Sequence, residues 1–280
     1  MKAINKTFLF AKLLLPFLVL MCLRSVNAMD DTSEFIKQVQ AASNESVDGW
    51  KFHLQDIPNG ADPKLDDSAW QVMPASHDER RRPSSSHQNA ICWYRNRVTI
   101  PSVLYGTRTQ GRKISLVVDL WPAGDIYVNG ASVRQCRTTG RPMQDESQRV
   151  PLSQSAQPGE VVFIAIKAYP LGNGATVLRN SRLELDGDVL PERVRNFLSN
   201  LGIAGALRED TNGKPDGQIQ GITKILDLDA MRSGNSVQFT HSLDAAEQGL
   251  RALLKQDPRS NLQVYIVSHS HADLSWPDTP

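Results

Sequence analysis

His269-Ser270-His271-Ala272-Asp273 places three potential metal ligands at alternating positions, with Trp276 close behind them. Alternate residues of an extended strand project from one face, so two imidazoles and a carboxylate can converge there. That donor set suits Zn²⁺ or a similar divalent ion. A strand, however, spreads alternate residues by roughly 6 to 7 Å, too far for all three to hold one ion unless the backbone turns. Two ligands are therefore expected from this segment and the rest from elsewhere. The plainer reading is that these polar residues only close a strand.

The motif needs an element that delivers it. Asn261-Leu262-Gln263-Val264-Tyr265-Ile266-Val267 is an apolar β-run leading straight into Ser268. Before it, Leu243, Ala246, Leu250, Leu253 and Leu254 lie along one face of a helix ending by Lys255, and Pro258 stops that helix. Helix, short loop, apolar strand and polar motif is the order in which the first strand of an open α/β sheet feeds an active site at its carboxyl end. A further helix starts at Pro191, a proline suited to a first turn, and carries Val194, Phe197 and Leu198 at helical spacing.

Upstream of residue 188 the texture is all-β. Short apolar runs alternate with Gly, Pro, Asn and Asp clusters, and strands are expected at Trp50 to Leu54, Ile91 to Thr99, Lys113 to Leu120, Asp125 to Val128, Gln148 to Leu152, Glu160 to Ala168 and Ser181 to Leu185. Seven strands suit a sandwich. Asn129-Gly130 after Ile126-Tyr127-Val128 is a strong hairpin signal, because both residues tolerate positive φ. Gln157-Pro158-Gly159 is a second turn. Residues 77–90, with Arg80-Arg81-Arg82-Pro83, have no periodicity and are expected to be a solvated loop.

Composition excludes some functions. The 280 residues hold 31 Lys+Arg against 30 Asp+Glu, too even a balance for binding nucleic acid through charge. Lys2, Lys6 and Lys12 precede the apolar run Leu13 to Leu23, and Val26-Asn27-Ala28 offers small residues for a signal peptidase. Cleavage after residue 28 removes four basic residues and leaves 27, so the exported chain is slightly acidic and carries no membrane segment. Periplasm, cell surface and medium are all open as destinations. Cys92 and Cys136 then enter an oxidising compartment, where either a disulfide between them or two buried thiols is allowed.

Val267-Ser-His-Ser-His-Ala-Asp-Leu-Ser-Trp276 resembles the opening of the catalytic domain of family 38 glycoside hydrolases, the retaining α-mannosidases. The resemblance implies that His271 and Asp273 are zinc ligands, that Trp276 stacks on the bound sugar, and that His269 supports the site. It also implies an attacking aspartate and an acid/base carboxyl, since retaining glycosidases need two carboxyl groups flanking the scissile bond. No position here matches either group. The metallo-β-lactamase motif H-x-H-x-D-H is a competing match, but Leu274 stands where it requires a ligand.

Gly49-Trp50-Lys51-Phe52, Leu65-Asp66-Asp67-Ser68-Ala69-Trp70, Trp93-Tyr94-Arg95, Ile100-Pro101, Ile126-Tyr127-Val128-Asn129-Gly130 and Pro158-Gly159 fall in the order of galactose-binding-like jelly-roll domains. The segment resembles the sugar-binding domain of family 2 glycoside hydrolases. Trp50, Trp70 and Trp93 are expected in the core, while Trp121 at a strand end is open.

The expected organisation is a signal peptide at 1–28, a short segment at 29–46, a galactose-binding-like β-sandwich at 47–187, a helical connector at 188–260 and the first strand of an α/β catalytic domain at 261–280. The expected function is that of the amino-terminal fragment of an exported, zinc-dependent glycosidase acting on carbohydrate. The alternative is a non-catalytic carbohydrate-binding or structural module.

Overall fold

The computed structural model describes residues 32–73, 90–121, 123–136, 147–170, 177–209 and 217–255. Six strands form one antiparallel sheet: β1 (Lys51–His53), β2 (Gln71–Val72), β3 (Cys92–Thr99), β7 (Ala123–Val128), β8 (Ala131–Cys136) and β10 (Val161–Tyr169), in the order β2-β1-β3-β10-β7-β8. A second antiparallel sheet holds β6 (Ile114–Trp121), β9 (Gln148–Ser153) and β11 (Val177–Leu185), in the order β11-β6-β9. A small hairpin pairs β4 (Val103–Leu104) with β5 (Thr107–Arg108).

Alternation sorts each strand into two faces. In β10, Val162, Ile164, Ile166 and Ala168 turn inward, and they meet Ile114, Leu116, Val118 and Leu183 of the second sheet in one apolar core. The architecture is therefore of sandwich type. Burying each of these branched side chains contributes about 1.5 to 3 kcal/mol before chain entropy is set against it. Asn129 and Gly130, at φ 50° and 84°, make the tight turn between β7 and β8 that the Asn-Gly pair predicts.

Five helices among the described residues make a second core. They are α1 (32–43), α2 (Leu190–Glu209), α3 (Gly217–Thr223), α4 (Leu228–Ser233) and α5 (Ser236–Lys255). Val39 of α1, Phe197 and Leu201 of α2, Met231 of α4 and Phe239, Leu243 and Leu250 of α5 are buried together. Asp227 caps α4, its carboxylate accepting from the Ala230 N–H at 2.8 Å, and Gly234 closes the helix at φ 75°. The β4–β5 hairpin joins the two cores. Its tip residue Tyr105 is buried among the helices at φ 47°, and a side chain on the adjacent Gly106 would come within 3.0 Å of Phe239. Burial, then the neighbouring Glu45, pushes the Tyr105 hydroxyl far above the ordinary phenol range, so it is neutral throughout the physiological span. Arg195 of α2 adds charge to the same junction, reaching Glu45 at 3.1 Å and Glu184 at 3.4 Å. None of the helices among the described residues is long and apolar enough to cross a membrane.

The sheet register bears on the two cysteines, for which the sequence left a disulfide and two buried thiols both open. Cys92 lies opposite Ala168, Ala168 opposite Gly124, and Gly124 opposite Cys136, which places the two cysteines three strands apart. Three strand spacings amount to about 14 Å, whereas a disulfide needs Cα atoms within about 7 Å. A Cys92–Cys136 bridge does not fit this sheet.

Candidate functional site

Polar chemistry gathers on the outer face of the six-stranded sheet. The same alternation that sends Ile164 and Ile166 inward turns Phe163, Ala165, Lys167 and Tyr169 outward, next to Trp93 and Arg95 of β3 and Asp125 and Tyr127 of β7. Residues 54–70 cross over this face. Asn59, at φ 60°, turns the segment, and the Gly60 and Asp62 N–H groups donate to Ile57 O and Asn59 O. Gly60 then lies flat on the Trp93 indole, where a Cβ would sit 2.5 Å from ring carbons. Only glycine allows that approach.

Arg95 holds the crossing segment in place from beneath. Its guanidinium, fully buried, donates to the carbonyls of Gly60, Asp62 and Leu65 at 3.2, 2.9 and 3.1 Å. Its Nε is 3.0 Å from Asp67 Oδ2 but out of line for a hydrogen bond, so that contact is an ion pair only. Lys51 Nζ donates to Asp67 at 2.7 Å, and Arg97 adds a third cation at 3.4 Å. Burial alone would raise the Asp67 carboxyl. The Lys51 hydrogen bond and the surrounding cations outweigh it and hold the group below its usual value.

Where the segment begins to cross, an open depression of about 420 Å³ remains between Asp56, Asn59, Trp93, Tyr127, Lys167 and Tyr169. Lys167 Nζ reaches both Asp56 oxygens, at 2.8 and 2.9 Å, and the Trp93 indole N–H donates to Asp56 Oδ1 at 3.2 Å. The Lys167 hydrogen bond first, and the Trp93 N–H with it, keep the Asp56 carboxyl below its usual value. Lys167 Nζ also sits over the Trp93 and Tyr169 rings, at 5.6 and 5.7 Å from their centroids, and the Tyr169 hydroxyl donates to Asp125 at 2.6 Å. Trp93 and Tyr127 approach with ring centroids 5.9 Å apart. The result is an open hollow with aromatic walls and a fixed carboxylate–ammonium pair.

A second ionic cluster lies on the other sheet. Glu184 is met by Arg149, Arg182 and Arg195, and burial is again outweighed by these partners, so its carboxyl is also held down. Asp67 and Glu184 together set an acid response. Because their folded values lie below the ordinary 3.8 and 4.5, the stability they contribute is present above those ordinary values and is lost as pH falls through the folded ones. Thermal unfolding of the protein is thus expected to be insensitive to these groups above about pH 5 and to fall steeply below about pH 4. Asp67→Asn lowers the melting temperature at pH 7 and flattens the acid limb; an unaltered limb contradicts the pairing.

The residues singled out by sequence are distributed differently. His269, His271, Asp273 and Trp276 lie outside the described residues, as does the expected strand from Asn261 to Val267. Among the described residues no three His, Cys, Asp or Glu side chains come together in a way that could hold a metal ion. Trp50 enters the sandwich core, as expected. Trp93 is buried, but with Trp70 it belongs to the outer-face cluster rather than the space between the sheets. Asp56, Lys167, Tyr127 and Tyr169 were not picked out by sequence. Their signal was the outward parity of two strands, where Asp125/Tyr127 and Lys167/Tyr169 carry charge and aromatic rings instead of the small polar residues of a plain solvated face.

No protein-family model matches the chain, and no curated protein sequence does. Among solved structures it is similar to a glycosyl hydrolase family 2 member from Bacteroides cellulosilyticus, at 19% identity over 50% of this chain and 20% of that one, TM-score 0.39. A β-glycosidase from Bacteroides vulgatus matches at 23% identity over 50% of this chain and 20% of that one, TM-score 0.35. A β-glucuronidase from Ruminococcus gnavus matches at 19% identity over 50% of this chain and 29% of that one, TM-score 0.33. The matched part thus spans between a fifth and a third of the length of these proteins.

Proposed function

We propose that this chain is the amino-terminal part of an exported glycoside hydrolase of the zinc-dependent α-mannosidase type, whose β-sandwich is an accessory carbohydrate-binding domain. The observation that supports this reading most is the segment from Val267 to Trp276, which joins an apolar β-run to two histidines, an aspartate and a tryptophan in family order. His271 and Asp273 would supply an imidazole and a carboxylate to the zinc ion, and His269 would support them. When bound, that ion would supply Lewis acidity toward vicinal sugar hydroxyls. Trp276 would offer its ring to the apolar face of the sugar. The carboxylate pair that cleaves the bond is assigned to none of the 280 residues, so the chain by itself is expected to be inactive.

The test is hydrolysis of an aryl α-mannoside by the chain from Met29 to Pro280, beside a version extended through the downstream reading frame, each with and without added Zn²⁺. Activity confined to the extended, zinc-loaded version supports the proposal, and its loss in His271→Ala and Asp273→Ala ties it to the motif. Activity in neither version favours the non-catalytic reading, a sandwich that binds carbohydrate or braces a neighbour.

A further inference from the structure

We infer that the depression between Asp56, Trp93, Tyr127, Lys167 and Tyr169 is a binding subsite for one neutral pyranose unit of a glycan. The inference rests on the carbohydrate reading above and locates its contact on this chain. Three features carry it. First, Asp56 and Lys167 stand 2.8 Å apart at the rim, one accepting and one donating, and Asp56 keeps half of its side-chain surface exposed. Two neighbouring sugar hydroxyls, each both donor and acceptor, can bridge such a pair without breaking it. Second, the walls are aromatic. Tyr127 and Tyr169 are only part-buried, and a pyranose presents a C–H face that packs on such rings while its hydroxyls meet the polar rim. Third, the hollow has about 420 Å³, room for one sugar ring and a few bridging waters.

Charge selects among sugars. Among the described residues lining the depression Lys167 is the cation, and Asp56 neutralises it; Asp125, buried at the Tyr169 hydroxyl, is a second carboxylate close by. A uronate or a sulfated sugar would bring a third anionic group. Neutral hexopyranosides fit, and acidic ones are repelled.

The site is also rigid before any ligand arrives. Arg95 pins the crossing segment, Gly60 lies against Trp93, and Trp93 orients Asp56 through its indole N–H. A ligand held by that carboxylate must therefore be sensed by the Trp93 indole, whereas Trp50 lies in the other core, between the sheets.

Titration of the ¹⁵N-labelled chain from Met29 to Pro280 tests the subsite, with methyl α-D-mannopyranoside, methyl β-D-glucopyranoside and methyl β-D-glucuronide as probes. The Trp93 indole resonance is assigned through Trp93→Phe. At least one neutral pyranoside is expected to shift it saturably, with Kd on the order of 1 mM, while the Trp50 signal stays still and the glucuronide has no effect. Asp56→Asn and Lys167→Met, each melting like the parent, are expected to weaken the effect by about fivefold or more. No saturable shift at Trp93 with either neutral sugar overturns the inference, and so does an unchanged affinity in both variants. A sugar that moves a different indole removes the subsite while leaving the carbohydrate reading intact. A shift at Trp93 in a protein whose extended form hydrolyses nothing keeps the subsite and removes the glycosidase.

Discussion

Replacing Arg95 with methionine is expected to cost the protein about 3 to 5 kcal/mol of unfolding free energy, the range for removing one partner from a buried ion pair. Methionine retains the length and apolar stem of arginine, so the loss is read on the guanidinium. Without it, three carbonyls of the crossing segment lose their donor, and among the described residues buried Asp67 keeps only Lys51 and Arg97 as cationic partners. The guanidinium also lies 4.8 Å from the Phe163 ring centroid and 5.4 Å from that of Trp70, contacts worth some tenths to 2 kcal/mol when desolvated. Urea unfolding followed by tryptophan fluorescence measures the sum. A companion Arg95→Met, Asp67→Asn variant should cost less than the two single changes added together, because the second removes the charge that the first leaves uncompensated. A loss below about 1 kcal/mol in the single variant would mean that residues 54–70 are held by apolar contacts, and the rigidity claimed for the hollow beneath them would go with it.

That crossing segment shows where the sequence was legible and where it was not. Asn129-Gly130 announced its turn because two adjacent positive φ angles admit few residue types. By the same logic a strand had to follow, yet Ala131–Cys136 passed unnoticed: Ala131-Ser132-Val133-Arg134 alternates over four residues only, and Val133 stays exposed. Edge strands owe their pairing to the neighbour's backbone, a cause that side-chain patterns do not record. The N-terminal helix 32–43 was missed for a related reason. Its Val39 and Ala42 are buried only because α2, α5 and the Tyr105 hairpin tip meet there, and that meeting involves residues more than 150 positions apart.

The candidate site divides along the same line. The His-x-His-x-Asp motif is local chemistry and can be found by eye. The hollow is not local, since Asp56 and Lys167 are separated by 111 positions and come together only through the pairing of β3 with β10. Arg95 entered the sequence reading only as part of Trp93-Tyr94-Arg95, with no role of its own: beside Arg97 in Trp93-Tyr94-Arg95-Asn96-Arg97 it is indistinguishable from an outward-facing charge until the segment that covers it is placed. The spacing of the two cysteines follows from the sheet register, which puts three strands' spacing between them, and cannot be read from the 44 positions that separate them in sequence.

Trp50→Ala is expected to be comparably damaging, at about 3 to 5 kcal/mol, the usual range for truncating a buried tryptophan. Its ring is fully buried between the sheets, and no smaller neighbour can collapse into the space without moving both. Part of the cost is polar. The indole N–H donates to Val47 O at 3.0 Å and to Ser181 Oγ at 2.8 Å, while the Ser181 hydroxyl donates to the same Val47 carbonyl at 2.8 Å. Through this triangle the segment before β1 is tied to β11 of the opposite sheet, and the Val47 N–H closes it by donating to Ser181 O at 3.0 Å. Trp50→Phe separates the two contributions. Phenylalanine fills most of the volume but leaves the buried Ser181 oxygen without its donor, so it should cost about 1 to 3 kcal/mol. Equal losses in the alanine and phenylalanine variants would assign the whole effect to the hydrogen bonds and deny the packing role; a phenylalanine variant as stable as the parent would assign it all to volume. Intermediate stability, measured by guanidinium unfolding, is the outcome that requires the indole both to fill the core and to fasten one sheet to the other.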